Sequence, residues 1–237
     1  MENPIEIYFA TSANTGSERL FNVGLTEALE QKGYQVFLPQ RDGINVNGLN
    51  QALLGRIQEY KVPRAIESAK YLLNMGLKIP KLDVILSNLD NPDNDTIIKT
   101  RYGRVLNKKV LCFKTYAQTN VNSLNKTEAS EDFLTYQGDE IILAHFPATT
   151  RKTAEERLLK LAEKIDEELI SKPFVRGGVP SYTEKIPFAE MIIEKARNLF
   201  REIRDINSKE GLDAIAQRIF LGEDRYLLTP KIKYLGD

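Results

Sequence analysis

Strand-like apolar runs alternate with helical patterns along this sequence. The runs occupy residues 5–10, 34–38, 83–86, 109–113 and 140–146. Between the first two, apolar residues recur at helical spacing behind Thr15 and Glu18, a pair that fits a helix capping box. Parallel strands need long crossover connections, which are usually helices. The alternation therefore predicts an α/β fold with a parallel sheet.

The predicted architecture is a flavodoxin-like, doubly wound, five-stranded sheet over residues 1–149, followed by a helical extension over 150–237. Further helices are predicted over 64–74 and 96–106, the latter with Ile98, Tyr102 and Val105 facing inward. The polar, Gly- and Asn-rich stretch 42–50 predicts a loop. The extension is expected to pack on the sheet or to build an oligomer interface.

Ligands of open parallel sheets bind beyond the carboxyl ends of the strands. Three loops in that position carry polar groups: Thr11–Ser17, Pro39–Gly43 and Asp90–Thr96. These loops are the candidate site.

Three segments of the chain carry a resemblance to a known family. Ile7–Ala10 supplies a strand with a tyrosine, Glu18–Asn22 a helix with a Phe-Asn pair, and Val36–Gly43 the run "VFLPQRDG". Together they resemble the N-terminal half of nucleoside 2-deoxyribosyltransferases. The segment 83–92 is similar to the third strand of that family and its aspartate-rich loop. The resemblance extends over residues 5–115.

The resemblance implies retaining transfer at an N-glycosidic bond. A carboxylate attacks the anomeric carbon, the base departs, and a second base attacks the glycosyl-enzyme. By position, Tyr8 would orient the nucleophile, and Asp93 or Asp95 would protonate the leaving base. The residues expected to bind substrate are Thr11, Gln40, Asp42, Asp83 and Asp90.

Residues 93–103 of this chain depart from the corresponding pattern of the resembling family. The family pattern is Asp-Ser-Gly-Thr-x-x-Glu-x-Gly-Tyr-Ala, and this chain reads Asp-Asn-Asp-Thr-Ile-Ile-Lys-Thr-Arg-Tyr-Gly. Anchored on Thr96 and Tyr102, the pattern assigns Lys99 to the position of the catalytic glutamate and Arg101 to that of a glycine. A lysine ammonium cannot act as a carboxylate nucleophile, and it opposes the positive charge of an oxocarbenium-like transition state.

Three interpretations of Lys99 remain open. It is an exposed helix lysine paired with Asp95 one turn earlier, or it holds the phosphate or carboxylate of a ligand, or another carboxylate reaches the sugar. Asp95 is the best substitute nucleophile, and its alternative role is the N-cap of the helix that begins near Thr96. The chain is therefore predicted to cleave or transfer the N-glycosidic bond of a nucleoside or nucleotide, or to bind such a ligand without catalysis.

Composition excludes several other classes of function. The 33 basic and 33 acidic residues cancel, which argues against broad attraction to nucleic acid or anionic membranes. The single cysteine, Cys112, excludes an internal disulfide framework, and with one histidine a zinc site is not expected. No signal peptide or membrane-spanning stretch is expected, so the cytoplasm is the expected location. No cofactor is implied, the expected ligand is a nucleoside or nucleotide, and a homo-oligomer is expected. Cys112 and His145 are expected to be structural.

Overall fold

The computed structural model describes residues 3–90, 92–115, 140–144, 154–172, 174 and 187–222. The chain divides into two compact units. Unit 1 comprises Met1–Asp42 and Lys81–Pro180, and unit 2 comprises Gly43–Pro80 and Ser181–Asp237. This division differs from the predicted boundary at residue 150, because the first helix of the expected extension belongs to unit 1. Segment 43–80, expected in the sheet domain, belongs to unit 2.

Unit 1 is built on a parallel sheet, which confirms the α/β class. Its strands are β1 (Glu6–Ala10), β2 (Gln35–Phe37), β3 (Val84–Asn88), β4 (Lys109–Thr115) and β5 (Glu140–Ala144). Their order is β2-β1-β3-β4-β5, with every neighbouring pair parallel. This is the strand order of flavodoxin-like sheets, in which the direction of winding reverses between β1 and β3.

Helices cover the sheet of unit 1 on both faces. The helices of this unit are α1 (Gly16–Gln31), the short α2 (Pro39–Asp42), α6 (Asn94–Val105) and α7 (Ala154–Ser171). One face is an apolar core in which Leu25 of α1 and Leu161 of α7 pack with Phe9 and Phe113 of the sheet. On the other face, α6 packs so closely that a Cβ on Gly103 would lie 2.4 Å from Ile85 Cγ1.

The start of α1 follows from its predicted capping box. Thr15 is the N-cap, its hydroxyl accepts the Glu18 amide at 3.1 Å, and the Glu18 carboxylate accepts the Thr15 amide at 3.0 Å. Both residues satisfy amides that a helix start leaves without intrahelical partners. The capping-box prediction is confirmed.

Unit 2 is helical over its described residues. It contains α3 (Val46–Leu53), a 3-10 turn (Glu59–Lys61), α4 (Val62–Tyr71), a π-helical segment (Leu72–Lys78), α8 (Pro187–Phe200) and α9 (Lys209–Leu221), while the short α5 (Ile79–Lys81) spans the boundary between the units. Gly76 lets the π-helical segment approach α8, since a Cβ there would lie 2.6 Å from the Ile192 carbonyl oxygen. Asn207 ties the two parts of the unit together by accepting the Asn45 amide at 2.7 Å.

Two local predictions are wrong. The stretch 42–50 is not a loop, because Asn45 caps α3 and the helix buries Leu49. In α6, Tyr102 is buried as predicted, but Ile98 and Val105 are 43% and 47% exposed. The buried face of α6 carries polar residues instead, Thr96, Lys99 and Thr100 among them. The apolar residues of this helix therefore do not all face the sheet, and their pattern does not predict which side of α6 is buried.

Candidate functional site

Three predicted site residues meet where α6 begins beside β1. The ammonium group of Lys99 forms a short ion pair with the Asp95 carboxylate, one turn earlier on α6. The same ammonium lies 6.0 Å from the centre of the Tyr8 ring. Tyr8 lies in the middle of β1 and also contacts the Phe37 ring, with 5.7 Å between the ring centres. The sheet and α6 thus bring a phenol, a cation and a carboxylate together.

Burial differs sharply among these three side chains. Tyr8 is completely buried, and the side chain of Lys99 is 8% exposed, whereas that of Asp95 is 63% exposed. Burial raises the pKa of Tyr8 well above its usual value, and the nearby Asp95 carboxylate adds to the rise. The pairing of Lys99 with Asp95 agrees with one of its three interpretations, but Lys99 is not an exposed helix lysine.

Two groups in this cluster, the Tyr8 hydroxyl and the Lys99 ammonium, carry more donor hydrogens than the described residues accept. Among the described residues, the Tyr8 hydroxyl has no hydrogen-bond partner. A lysine ammonium carries three N–H donors, and the described hydrogen bonds of Lys99 all go to Asp95. A buried donor without a partner costs about 1–3 kcal/mol. The cluster is therefore rich in donors and poor in acceptors.

The helix cap belongs to Asp93 rather than Asp95. Asp93 Oδ1 accepts both the amide and the hydroxyl of Thr96 at 2.7 Å. The alternative role of Asp95 as N-cap is wrong, because the helix begins at Asn94 and leaves Asp95 inside its first turn. The Asp95 carboxylate is thus available at the surface, held by Lys99 alone among the described hydrogen bonds.

The loops after β1 and β2 are joined by a buried amide. Asn22, completely buried on α1, accepts the Thr11 hydroxyl at 3.0 Å and donates to the Ser12 carbonyl at 2.8 Å and to Gln40 Oε1 at 3.1 Å. Gln40 in turn donates to the Arg19 carbonyl at 2.9 Å. Thr11 and Gln40, both predicted to bind substrate, therefore belong to one network at the carboxyl edge.

The hydrogen bonds of Asp42 hold neighbouring elements of the fold together. Its carboxylate accepts the Leu38 amide at 2.8 Å and the Arg41 Nε–H at 2.7 Å. Arg41 also forms two hydrogen bonds with Glu30 of α1, at 3.0 and 2.7 Å, and one with the Val36 carbonyl at 3.0 Å. The Arg-Asp pair of the "FLPQRDG" run thus fastens α2 to β2 and α1.

Asp90 joins the ends of β3 and β4. Its carboxylate accepts the Thr115 amide, at 3.0 Å to each oxygen, and forms a short hydrogen bond with the Thr115 hydroxyl. Burial raises the pKa of Asp90, and the hydrogen bonds from Thr115 oppose the rise. Asp90 therefore lies at the expected edge as a partly desolvated carboxyl group.

Asp83 is not brought to this edge. It precedes β3, its amide donates to the Glu6 carbonyl at 2.9 Å, and its carboxylate accepts the Glu6 amide at 3.0 Å. Glu6 begins β1, so Asp83 lies at the amino end of the sheet, about 7 Å along β3 from the residue that pairs with Tyr8. Asp83, although expected to bind substrate, therefore does not lie with the loops of the candidate site at the carboxyl edge.

Two other expectations concern Cys112 and His145. Cys112 is buried in β4, and burial raises the pKa of its thiol to about 11, which fits the expected structural role. His145 lies outside the described residues.

Within the described ranges, no group of three or more His, Cys, Asp or Glu side chains could hold a metal ion. No helix in those ranges is both long and apolar enough to cross a membrane.

Asn22 is the site residue that the sequence reasoning did not single out, although it was part of the quoted Phe-Asn pair. The sequence could have indicated Asn22, because it lies three residues before Leu25 on the buried side of α1, where an apolar residue is expected. A polar residue on an apolar face needs buried partners. Here the two loops at the carboxyl edge supply them.

Comparisons with known proteins give no family for this chain. No family model matches it, and no curated protein matches it. Among solved structures, it is similar to the NAD(P)H:quinone oxidoreductase from Methanothermobacter marburgensis, with 13% sequence identity and a TM-score of 0.38. That match covers 71% of this chain and 100% of the other.

Proposed function

We propose that this chain cleaves or transfers the N-glycosidic bond of a nucleoside or nucleotide, with Asp95 as the attacking carboxylate. The observation that supports the proposal is the ion pair between Asp95 and Lys99 beside the Tyr8 phenol. It provides an exposed carboxylate at a fixed position near the start of a helix and at the carboxyl edge of a parallel sheet. A five-stranded, flavodoxin-like, doubly wound sheet is the scaffold that the proposal assumes.

The proposed chemistry proceeds by two displacements. An Asp95 oxygen forms a bond to the anomeric carbon while the bond from that carbon to the base nitrogen breaks, and the electron pair leaves with the base. A carboxylic acid protonates the base, and water or a second base then displaces the carboxylate. Asp90 suits the acid better than Asp93, because burial raises the pKa of Asp90 while the Asp93 carboxylate caps α6.

Lys99 has a defined part in this proposal. In the unliganded protein its ammonium holds the Asp95 carboxylate in a fixed position one turn earlier on α6. The same positive charge opposes the oxocarbenium-like transition state. We therefore expect slow chemistry, and we expect that a carboxylate at position 99 would restore the arrangement of the resembling family.

The test is release of free base from deoxynucleosides and nucleoside monophosphates, separated by chromatography. The native chain is compared with Asp95→Asn, with Lys99→Glu, and with Asp213→Asn as a control. Asp213 is a matched control because it is also a helical aspartate in an exposed ion pair, with Arg56 at 3.2 Å, and lies in unit 2. The proposal expects release by the native chain and by the control, and at least a hundredfold loss in Asp95→Asn. Release only by Lys99→Glu would identify a degenerate enzyme and reject Asp95 as the nucleophile.

The second candidate function is binding of a nucleoside or nucleotide without catalysis. It is favoured by one observation, the nearly buried cation of Lys99 at the position where the resembling family has its catalytic glutamate. This candidate expects calorimetric binding of nucleotides with no release of base in any variant that keeps Lys99. Base release by the native chain would reject it.

Self-association is a further part of the proposal. A homo-oligomer is expected by analogy with the resembling family, in which neighbouring chains help to complete each site. Light scattering of the native chain at several concentrations tests this expectation. A monomeric mass throughout, about 27 kDa, would reject it.

A further inference from the structure

The cluster of Tyr8, Asp95 and Lys99 has more hydrogen-bond donors than acceptors. Its side chains carry four donor hydrogens, three on the Lys99 ammonium and one on the Tyr8 hydroxyl. Among the described residues, the one hydrogen bond that uses any of them joins Lys99 to Asp95. The Asp95 side chain is 63% exposed, so water also solvates its carboxylate, whereas Tyr8 is completely buried. The group that would complete this cluster must bring acceptors and no donors.

We infer that Lys99 forms a recognition site for an oxyanion, which the substrate carries as a phosphate monoester. A phosphate supplies several strong acceptor oxygens and a negative charge, so it complements the ammonium, which has donors to spare. A neutral nucleoside offers hydroxyl groups that donate as well as accept, and it brings no charge to the cation. The inference rests on the proposed function, and it narrows the substrate class from nucleosides in general to nucleotides.

Binding of the phosphate involves an exchange of ion-pair partners. Asp95 and the incoming phosphate are both negative, so they compete for the same ammonium. When the phosphate takes Lys99, the Asp95 carboxylate loses its partner and is freed beside the substrate. In this arrangement a nucleotide both occupies the site and releases the carboxylate proposed to attack its sugar.

The exchange predicts opposite effects for the two members of the ion pair. Lys99→Met removes the charge that recognises phosphate, and Asp95→Asn removes the competitor. Charge-assisted hydrogen bonds contribute enough to change an affinity about tenfold or more. We therefore expect Lys99→Met to abolish the preference for nucleotides over nucleosides. Asp95→Asn should bind nucleotides about tenfold more tightly than the native chain, a gain that a purely structural ion pair would not give.

The experiment is calorimetric titration at constant ionic strength with three probes: a deoxynucleoside, its 5′-monophosphate and inorganic phosphate. The variants are the native chain, Lys99→Met, Asp95→Asn and a control, Lys70→Met, which removes an exposed lysine paired with Glu67 at 2.8 Å. The native chain and the control should bind the monophosphate at least about tenfold more tightly than either other probe. Equal binding of nucleoside and monophosphate, or a preference that survives in Lys99→Met, would overturn the inference. Inorganic phosphate binding as tightly as the monophosphate would overturn the assignment of the substrate class.

The design remains decisive if one variant does not fold. Asp95→Asn leaves a nearly buried cation without its partner, which is destabilising. Lys99→Met instead replaces that cation with an apolar chain and leaves Asp95, which water can solvate, so the Lys99→Met titration alone decides the inference. Failure of the proposed function has a different signature: a preference for nucleotides that depends on Lys99, with no base released. Base release without that preference would reject the inference and leave the proposed function standing.

Discussion

The buried hydroxyl of Tyr8 lowers the stability of the unliganded protein. Tyr8 is completely buried, and its hydroxyl has no hydrogen-bond partner among the described residues. Burying an unpaired hydroxyl costs about 1–3 kcal/mol. Tyr8→Phe removes that hydroxyl and keeps the ring in contact with Phe37. We therefore expect the free energy of unfolding of the unliganded protein to rise by about 1–2 kcal/mol.

Tyr34→Phe is the matched control for this prediction. Tyr34 is also buried in unit 1, but its hydroxyl donates to Asp166 Oδ1 at 2.5 Å. Loss of a hydrogen bond to a charged group costs about 1.5–3 kcal/mol, and partial exposure of Asp166 brings the expected loss toward the lower end of that range. The same chemical change should thus stabilise the protein at position 8 and destabilise it at position 34.

Urea unfolding followed by far-UV circular dichroism measures both variants. With a slope of about 2 kcal/mol/M, the expected gain in Tyr8→Phe moves the midpoint up by about 0.5–1 M. The Tyr34→Phe midpoint should move down by a similar amount. A lower midpoint for Tyr8→Phe, with the slope unchanged, would mean that the hydroxyl has a partner in the folded protein. The inventory of unmet donors around Lys99 would then be wrong.

Two further predictions concern the packing and chemistry of unit 1. Gly103→Ala should lower the free energy of unfolding by about 1–3 kcal/mol, because its Cβ would lie 2.4 Å from the buried Ile85 side chain. The control is Gly16→Ala, where nothing lies within 4 Å of the added Cβ, and it should change the free energy of unfolding by less than about 1 kcal/mol. Equal midpoints of the two variants in urea would refute the close packing of α6 on the sheet. Cys112 should react with thiol reagents at pH 8 only when the protein unfolds, because burial raises its pKa to about 11 and the thiolate forms in quantity only as the pH approaches that value; rapid labelling of the native protein would contradict this.

The sequence was informative where local chemistry decides the structure. The strands of unit 1 were predicted from short apolar runs, and the start of α1 from Thr15 and Glu18, whose side chains satisfy backbone amides only a few residues away. The pair formed by Asp95 and Lys99 was also anticipated, because a separation of four residues brings side chains together on any helix.

The sequence was misleading where long-range packing decides the structure. The stretch 42–50 has the composition of a loop, but Asn45 caps a helix whose Leu49 is buried. Asp83 has the residue type of a ligand-binding carboxylate, and only the parallel register with β1 reveals that it lies at the amino end of the sheet. The burial of Lys99 likewise depends on how α6 rotates onto the sheet, which an apolar pattern did not indicate.

The resemblance to nucleoside 2-deoxyribosyltransferases remains a hypothesis of function. Part of its motif has a structural explanation in this chain, because Arg41 and Asp42 fasten α2 to its neighbours. Tyr8 and Lys99, assigned by the resemblance to the orienting residue and to the nucleophile position, do lie close together. The substitution of lysine at that position moves the proposed nucleophile to Asp95.

Intact mass spectrometry of the native chain and of Asp95→Asn, after brief incubation with a deoxynucleoside monophosphate, tests whether Asp95 attacks the sugar. We expect a covalent adduct with the mass of one sugar phosphate on the native chain, located at Asp95 after digestion, and no adduct on the variant. Base release by the native chain with the adduct on another residue, or with the same adduct on the variant, would contradict the assignment of Asp95 as the attacking carboxylate.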